Sequence, residues 1–380
     1  MSTLPHELQR PAPEMLRQLT DRRVFEQLLA AGSLTRAEIA SRTGISKPTI
    51  SESVRRLLDA RLVLEGGLQS GGRGRAGTYC RLRTDTTSAL AVSMGPDGIV
   101  VDTYDLLDGP LAHLEQPVPA PVTGAALGPL LQAAVRSVLS QTPGAVRSCV
   151  VSVAAPVDRR TGRVVPLRYS PFLVGAFDVR QSLAAVAPHV EVDNDVNWAA
   201  LAEHDHGSAT DLDDFALCYL GAGIGSALVV GGTVVGGSRG MAGELARAWT
   251  TGPGGRSLRL YQCFGALGLL RAGSDAIDVP LVRAVLQSST TADRRCRDRV
   301  LDAVAGALNS LVALLDPRGL LVGGPWGHTP GLLDLLTERL DEVADQPLLL
   351  RPAALLETPD RDGIRLRSVA AARQAVADRL

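Results

Sequence analysis

The chain of 380 residues has few aromatics, a single lysine and no clustered cysteine. Phe, Trp and Tyr together make up 3%, so cores must be built from Leu, Val and Ala, and an extended base-stacking platform is not expected. Lys47 is the one lysine among 39 basic residues, a bias that reads as genomic composition before chemistry. Cys80, Cys149, Cys218, Cys263 and Cys296 are odd in number and scattered, without a C-x-x-C pair. That argues against both a disulfide framework and a thiolate zinc site, and leaves buried free thiols as the expectation. Two uncharged stretches, 116–135 and 215–238, are interrupted by Pro117, Pro119, Pro121 and Pro129 in the first and by seven glycines in the second. These suit turns between strands better than a spanning helix. No basic stretch followed by an apolar core opens the sequence, so no membrane partner and a cytoplasmic location are expected.

What is present is ample for burial: 45% hydrophobic residues, 21% charged and a net charge of −1. The length suggests two or three globular domains. The neutral total conceals a gradient, because residues 1–85 carry net +5 and residues 86–380 net −6. A basic head on an acidic body is a footprint of a nucleic-acid module joined to something that does not touch nucleic acid, though a solvated charged face gives the same count.

In the head, Thr35-Arg36-Ala37-Glu38 fits a capping box, and Gly44 offers the left-handed residue that ends a short helix near Thr43. Ser46 then caps a second helix, 46–60, with Pro48 in its first turn and an apolar stripe at Ile50, Val54, Leu57 and Leu58. Two short helices around a tight turn form a helix-turn-helix whose second helix would expose Lys47, Thr49, Ser51, Glu52 and Arg55. Residues 66–77, six of them glycine, read as a β-ribbon wing with Arg73 and Arg75 at its tip, a composition suited to a narrow minor groove.

In the body, strands near 90–94, 99–106 and 111–118 are separated by Asp97-Gly98 and Asp108-Gly109, and a similar cadence returns at 215–220, 226–230 and 233–235. A duplicated α/β unit of this kind places a cleft between two lobes. Gly221-Ala222-Gly223-Ile224-Gly225 could present an anion nest or be a structural turn. Asp193-Asn194-Asp195-Val196-Asn197 stands at the end of a β-like run before a helix, and Met241-Ala242-Gly243-Glu244 adds a carboxylate. An apolar stripe at Leu301, Val304, Leu308, Leu311 and Leu315 fits core or dimer packing. His204 and His206, at i, i+2 on a helix end, point apart and are not read as metal ligands.

The winged head, residues 193–197, 221–225, Ala242-Gly243-Glu244 and Leu321-Val322-Gly323-Gly324 together resemble the ROK family of repressors, open reading frames and sugar kinases over nearly the whole chain. The resemblance implies an α/β fold, with a winged helix-turn-helix DNA-binding domain at 13–85 and a duplicated actin/hexokinase-like (ribonuclease H-like) two-lobed domain at 86–380. In the family's kinases the position of Asp195 is the base that deprotonates the sugar hydroxyl, Asn194 and Glu244 match sugar-binding positions, and Gly323-Gly324 lies near the adenosine. Departures are equally specific. Ser93-Met94-Gly95-Pro96-Asp97 stands in place of the Asp-x-Gly-Gly-Thr phosphate loop, Ala222 replaces a threonine, Arg247 replaces a histidine, and the Cys-rich zinc segment is missing. The implied protein is a sugar-responsive regulator, a repressor of transcription, with a catalytically degenerate kinase-like sensor. Its effector residues are Asn194, Asp195, Glu244 and Arg247, and Lys47, Thr49, Ser51, Arg55, Arg73 and Arg75 face DNA. No metal or cofactor is expected, and a homodimer or tetramer on a duplex operator is. The alternative is an ATP-dependent sugar kinase carrying a DNA-binding head.

Overall fold

The residues that start the chain's first regular element, Pro13–Ala31 (α1), show no clean apolar period, and the sequence does not single them out as a helix. Met15, Leu16 and Leu19 stay exposed, and only the second half buries Val24, Phe25 and Leu28. The structure, a computed structural model, describes residues 13–68, 77–167, 170–341 and 348–380. After α1 come β1 (Ser33–Thr35), α2 (Arg36–Thr43), α3 (Lys47–Asp59), β2 (Val63–Leu68) and β3 (Thr78–Leu82). The three strands pair in the order β1-β3-β2 behind the helices, a winged helix-turn-helix. Residues 69–76, with Arg73 and Arg75, lie outside the described residues.

The first lobe is built from β4 (Thr87–Gly95), β5 (Gly98–Tyr104), β6 (Pro110–Gln116), α4 (Gly124–Leu139), β7 (Ala145–Val153) and β8 (Val190–Asn194). Its sheet runs β8-β7-β4-β5-β6, an antiparallel meander continued by two parallel strands. The prolines at 117–121 lie in a connector as expected, but Pro129 sits inside α4, where only turns were anticipated. The helix accommodates it because the hydrogen bond that proline removes falls to the carbonyl of Ala125, an exposed residue that water can serve.

Helix α5 (Asp195–His206) leads to the second lobe: β9 (Phe215–Leu220), β10 (Ile224–Val230), β11 (Thr233–Val234), α6 (Thr291–Leu315), β12 (Gly319–Gly323) and β13 (Leu349–Pro352). Its sheet, β11-β10-β9-β12-β13, repeats the first lobe's plan. On α6, Leu301, Val304, Leu308 and Leu311 are buried in this lobe's core, with Leu315 packed at its margin, so the stripe is core. The chain ends in α7 (Pro359–Ala377), which returns across β4, β7 and α5. Its second half places Val369, Ala372 and Val376 in the same cluster as Val24, Phe25, Ile50 and Leu57 of the head. All five cysteines are free, four of them buried. Among the described residues no helix is long and apolar enough to cross a membrane.

Candidate functional sites: an exposed helix face and a carboxylate cleft

The geometry of the head's two short helices rests on caps. The Thr35 hydroxyl accepts from the Glu38 amide at 3.3 Å while the Glu38 carboxylate accepts from the Thr35 amide at 2.7 Å, so both helix-end donors are satisfied. Gly44 takes φ +71°, the left-handed turn that L side chains resist. Ser46 caps α3 by accepting from the Thr49 amide at 3.4 Å, with Pro48 in the first turn. Ile50, Val54 and Leu57 face inward, Leu58 is only partly buried, and Ser53 is fully buried in its stead. Lys47, Thr49, Glu52 and Arg55 are exposed and Ser51 is half-exposed. What holds α3 at its angle was not legible from spacing: Asp21 of α1 receives a two-pronged bond from Arg56, at 2.8 and 2.6 Å, and a bond from Ser53. A bidentate guanidinium-carboxylate pair of this kind fixes orientation as well as distance.

At the cleft the polar run 193–197 divides into two roles. Asp193 accepts from the Asn194 amide and from Asn197 Nδ2, both at 2.8 Å, and pairs with Arg159. Asp193 and Asn197 therefore buttress the strand end. Asn194 caps α5, its Oδ1 accepting from the Val196 amide at 2.9 Å. Asp195, the first residue of α5, lines a narrow pocket with Val196, Ala199, Tyr219, Pro359 and Asp360. Burial, then the Asp360 carboxylate, and further Glu244, push the Asp195 carboxyl up to about 7, against the pull of the Val196 amide.

Glu244 comes from the second lobe. Gly243, at φ +82°, lies so close to Ser226 that a Cβ would meet the Ser226 carbonyl oxygen, and its own carbonyl accepts from the Ser226 amide and hydroxyl at 2.9 and 2.7 Å. That clamp aims Glu244, whose carboxyl burial pushes up to about 7 although Arg247 opposes the rise through its charge. Glu244 and Arg247 make no ion pair within 4.0 Å among the described residues.

None of Gly221, Gly223 and Gly225 takes a positive φ, and the Gly221 amide is spent on the Gly223 carbonyl at 3.0 Å, which removes it from an anion nest. In the first lobe, Ser93 and its register partner Ser152 both donate to Asp360 Oδ2 at 2.8 Å. Asp360 was not singled out by sequence reasoning. Pro359-Asp360 is a legible helix start, but only the return of α7 brings it beside Asp195. No group of three or more His, Cys, Asp or Glu side chains among the described residues is arranged to hold a metal ion.

Two family models match the chain: the ROK family over residues 89–248 and a winged helix-turn-helix DNA-binding family over residues 17–63. Among curated relatives, the bifunctional enzyme NanE/NanK of Brucella melitensis biotype 1 is 34% identical over 164 residues, 42% of this chain and 31% of that protein. The chain thus spans under a third of that relative's length. Among solved structures, a ROK family transcriptional regulator described as a homolog of the E. coli MLC protein superposes with a TM-score of 0.67 at 17% identity, covering 96% of this chain and 98% of that one. A ROK hexokinase from Thermus thermophilus gives 0.57 at 24% identity, covering 77% of this chain and 99% of that one.

Proposed function

This chain carries a ROK family domain behind a winged helix-turn-helix head, and from that premise we propose that it is a sugar-responsive, DNA-binding repressor of transcription, acting in the cytoplasm as a homodimer or tetramer. The observation that carries the reading is the face of α3, where Lys47, Thr49 and Arg55 stand exposed above a buried stripe. In this reading Lys47, Thr49, Ser51 and Arg55 meet the major groove and Arg73 with Arg75 the flanking minor groove, and dimer symmetry calls for a two-fold operator. The fold likeness to the regulator extends through the head, whereas that to the hexokinase covers 77% of the chain.

Asn194, Asp195 and Glu244 supply an amide and two carboxyls, groups that pair well with vicinal hydroxyls, and Arg247 adds a fixed cation with five donors. Phosphoryl transfer depends on cradling the nucleotide's phosphates. Here Ser93, at the position of a kinase phosphate loop, is bound to a carboxylate, and the Gly221 amide is spent internally. Both features disfavour anions, which supports a sensor over a catalyst.

One observation favours the kinase alternative. Asp195 stands at the base position with its carboxyl near 7, which suits proton abstraction at neutral pH.

The deciding experiment selects duplexes from a random pool with the full chain and titrates the best operator with and without a panel of sugars. ATP-dependent sugar phosphorylation is assayed alongside. Operator binding lost in Lys47→Ala, Arg55→Ala and changed about 5- to 150-fold by one sugar is expected. Turnover that Asp195→Asn abolishes would establish the kinase reading instead.

A further inference from the structure

Outside the cleft, the second lobe segregates charge. Residues 245–299 hold nine arginines against four aspartates, net +5, inside a body of net −6, which leaves net −11 for the rest of that body. Of the nine, only Arg297 forms an ion pair within 4.0 Å among the described residues. The segment opens on a short hairpin, strands Trp249–Thr251 and Ser257–Arg259, in which Trp249 and Arg259 are register partners. Trp249 is 61% exposed, whereas the other two tryptophans are buried, and the Arg259 guanidinium lies over its ring, 5.8 Å from the centroid. The turn adds the exposed Arg256. On the hairpin's inward side the Thr250 hydroxyl donates to the Ala303 carbonyl of α6 at 2.8 Å, and a Cβ on Gly306 would collide with that hydroxyl. Arg299 and Arg295, both exposed, stand one and two turns before Ala303 at i, i+4 spacing, on the helix row that leads to the hairpin. Trp249 is thus an apolar anchor among unpaired guanidiniums.

A face of opposite charge stands where α5 meets the same lobe. Residues 205–214 contain Asp205, Asp211, Asp213 and Asp214 and no arginine or lysine. Asp211 pairs with Arg351, but Asp205, Asp213 and Asp214, all exposed, meet no arginine or lysine within 4.0 Å among the described residues. His204 stands between Asp205 and Asp213, at 3.9 and 3.4 Å. The Asp214 carboxylate accepts from the Gly231 amide and the Asp213 carbonyl from the Gly232 amide, both at 2.8 Å. These bonds seat the acidic run beside the turn that follows Val230, itself 46% exposed.

We propose that the Trp249 face of one chain docks on the Val230 face of a second copy, with Arg256, Arg259, Arg295 and Arg299 against Asp205, Asp213 and Asp214. Trp249 and Val230 are both exposed in the single chain, so neither covers the other. Both halves of the match stand on this one sequence, which favours a copy over a foreign acidic protein. A two-fold axis makes the contact twice, because the residues that meet across it are exchanged between the copies. Tryptophan and arginine are enriched among the residues that dominate protein interfaces, whereas duplex phosphates offer an indole no apolar surface to bury. The proposal names the contact surface of the oligomer in the regulator reading, and rests on that reading only in expecting the chain to associate.

Sedimentation equilibrium of the full chain tests it. Dimers are expected, with a dissociation constant that rises about tenfold or more between about 0.05 and 0.5 M salt, because salt screens the rim charges. Arg295→Glu with Arg299→Glu in one variant, and Asp205→Arg with Asp213→Arg in another, should each weaken association about 30-fold or more, since like charges then face each other. Mixed in equal amounts, the two should pair about as tightly as the unaltered chain, because each reversed face meets its reversed counterpart. Trp249→Ala should weaken association about 30-fold and keep the salt dependence. An unaltered chain that stays monomeric overturns the proposal, as does association that none of these variants changes. Folded variants that are monomeric apart and do not pair when mixed overturn it too. Duplex binding by a monomeric chain, abolished by Arg295→Glu with Arg299→Glu, would assign the face to phosphate instead. Operator selection is scored separately: a chain that dimerises through these faces but selects no duplex loses the regulator reading and keeps the interface.

Discussion

The two lobes share one sheet plan and differ in what closes the end of the first strand. In the first lobe Ser93 stands two residues before the end of β4, and its hydroxyl, with that of Ser152, is spent on Asp360 of a helix that continues into the head. In the second lobe β9 ends in the Gly221–Gly223 turn, stapled by the indole N–H of Trp326 to the Gly221 carbonyl at 3.0 Å. One duplicated architecture thus yields a lobe wired to the DNA-binding head through α7 and a lobe that presents Glu244 to the cleft from outside that wiring. The difference follows from chain order, since the last helix returns to the first lobe.

A matched pair of tryptophans breaks the comparison most forcefully. Trp198 and Trp326 are 2% and 0% exposed, and each donates its indole N–H to a backbone carbonyl at 3.0 Å, that of Val151 for Trp198. Replacing either by alanine removes a large buried side chain and should cost about 3–5 kcal/mol in chemical denaturation. Only Trp198→Ala should also raise amide exchange in the head, because Trp198 packs on α7 whereas Trp326 packs on Phe264 within its own lobe. Equal loosening of the head by both variants would show that the lobes are wired alike.

Titration separates the lobes next. Asp195 and Glu244 each have their carboxyl raised to about 7, above the value of an unfolded chain. The folded state therefore binds these protons more tightly than the unfolded state does. Their contribution to stability is fully present below about pH 4 and is lost as pH rises through 7. Between pH 6 and 7.5 each group should remove about 1 kcal/mol. Asp195→Asn should abolish one half of that slope and Glu244→Gln the other, as read by urea unfolding at the two pH values. A slope unchanged in both variants would place the titration elsewhere.

Much of this contrast could be read before the fold was known, and the part that could not has a common cause. The capping box at Thr35, the turn at Gly44 and the stripe of α3 are local, fixed by residues within four positions of one another, and the structure has them where the spacing puts them. The hairpins and the repeated cadence are local too. Asp195 and Glu244 were legible because their motifs stand in contiguous sequence. Asp360 was not, since it meets Ser93 across 267 positions and Asp195 across 165. Helix α1 failed for a different reason. Its exposed Met15, Leu16 and Leu19 blur the period that its buried half obeys.

The smallest effect sharpens the comparison at the glycine turn. Ala222 is partly exposed, with its carbonyl accepting from the Ile277 amide at 2.8 Å. Ala222→Thr restores a hydroxyl to the second-lobe loop without touching that bond. A threonine tolerates the conformation, because Ala222 has no positive φ, so stability should stay within about 0.5 kcal/mol of the unaltered protein. If the second-lobe loop alone limited catalysis, the variant would gain ATP-dependent sugar phosphorylation. No gain is expected, because the first-lobe end still presents Asp360 where phosphate oxygens would have to be received, and two anions meeting there repel. A measurable turnover in Ala222→Thr would move the block from the Ser93-Asp360 end to the glycine turn, and with it the functional difference between the lobes.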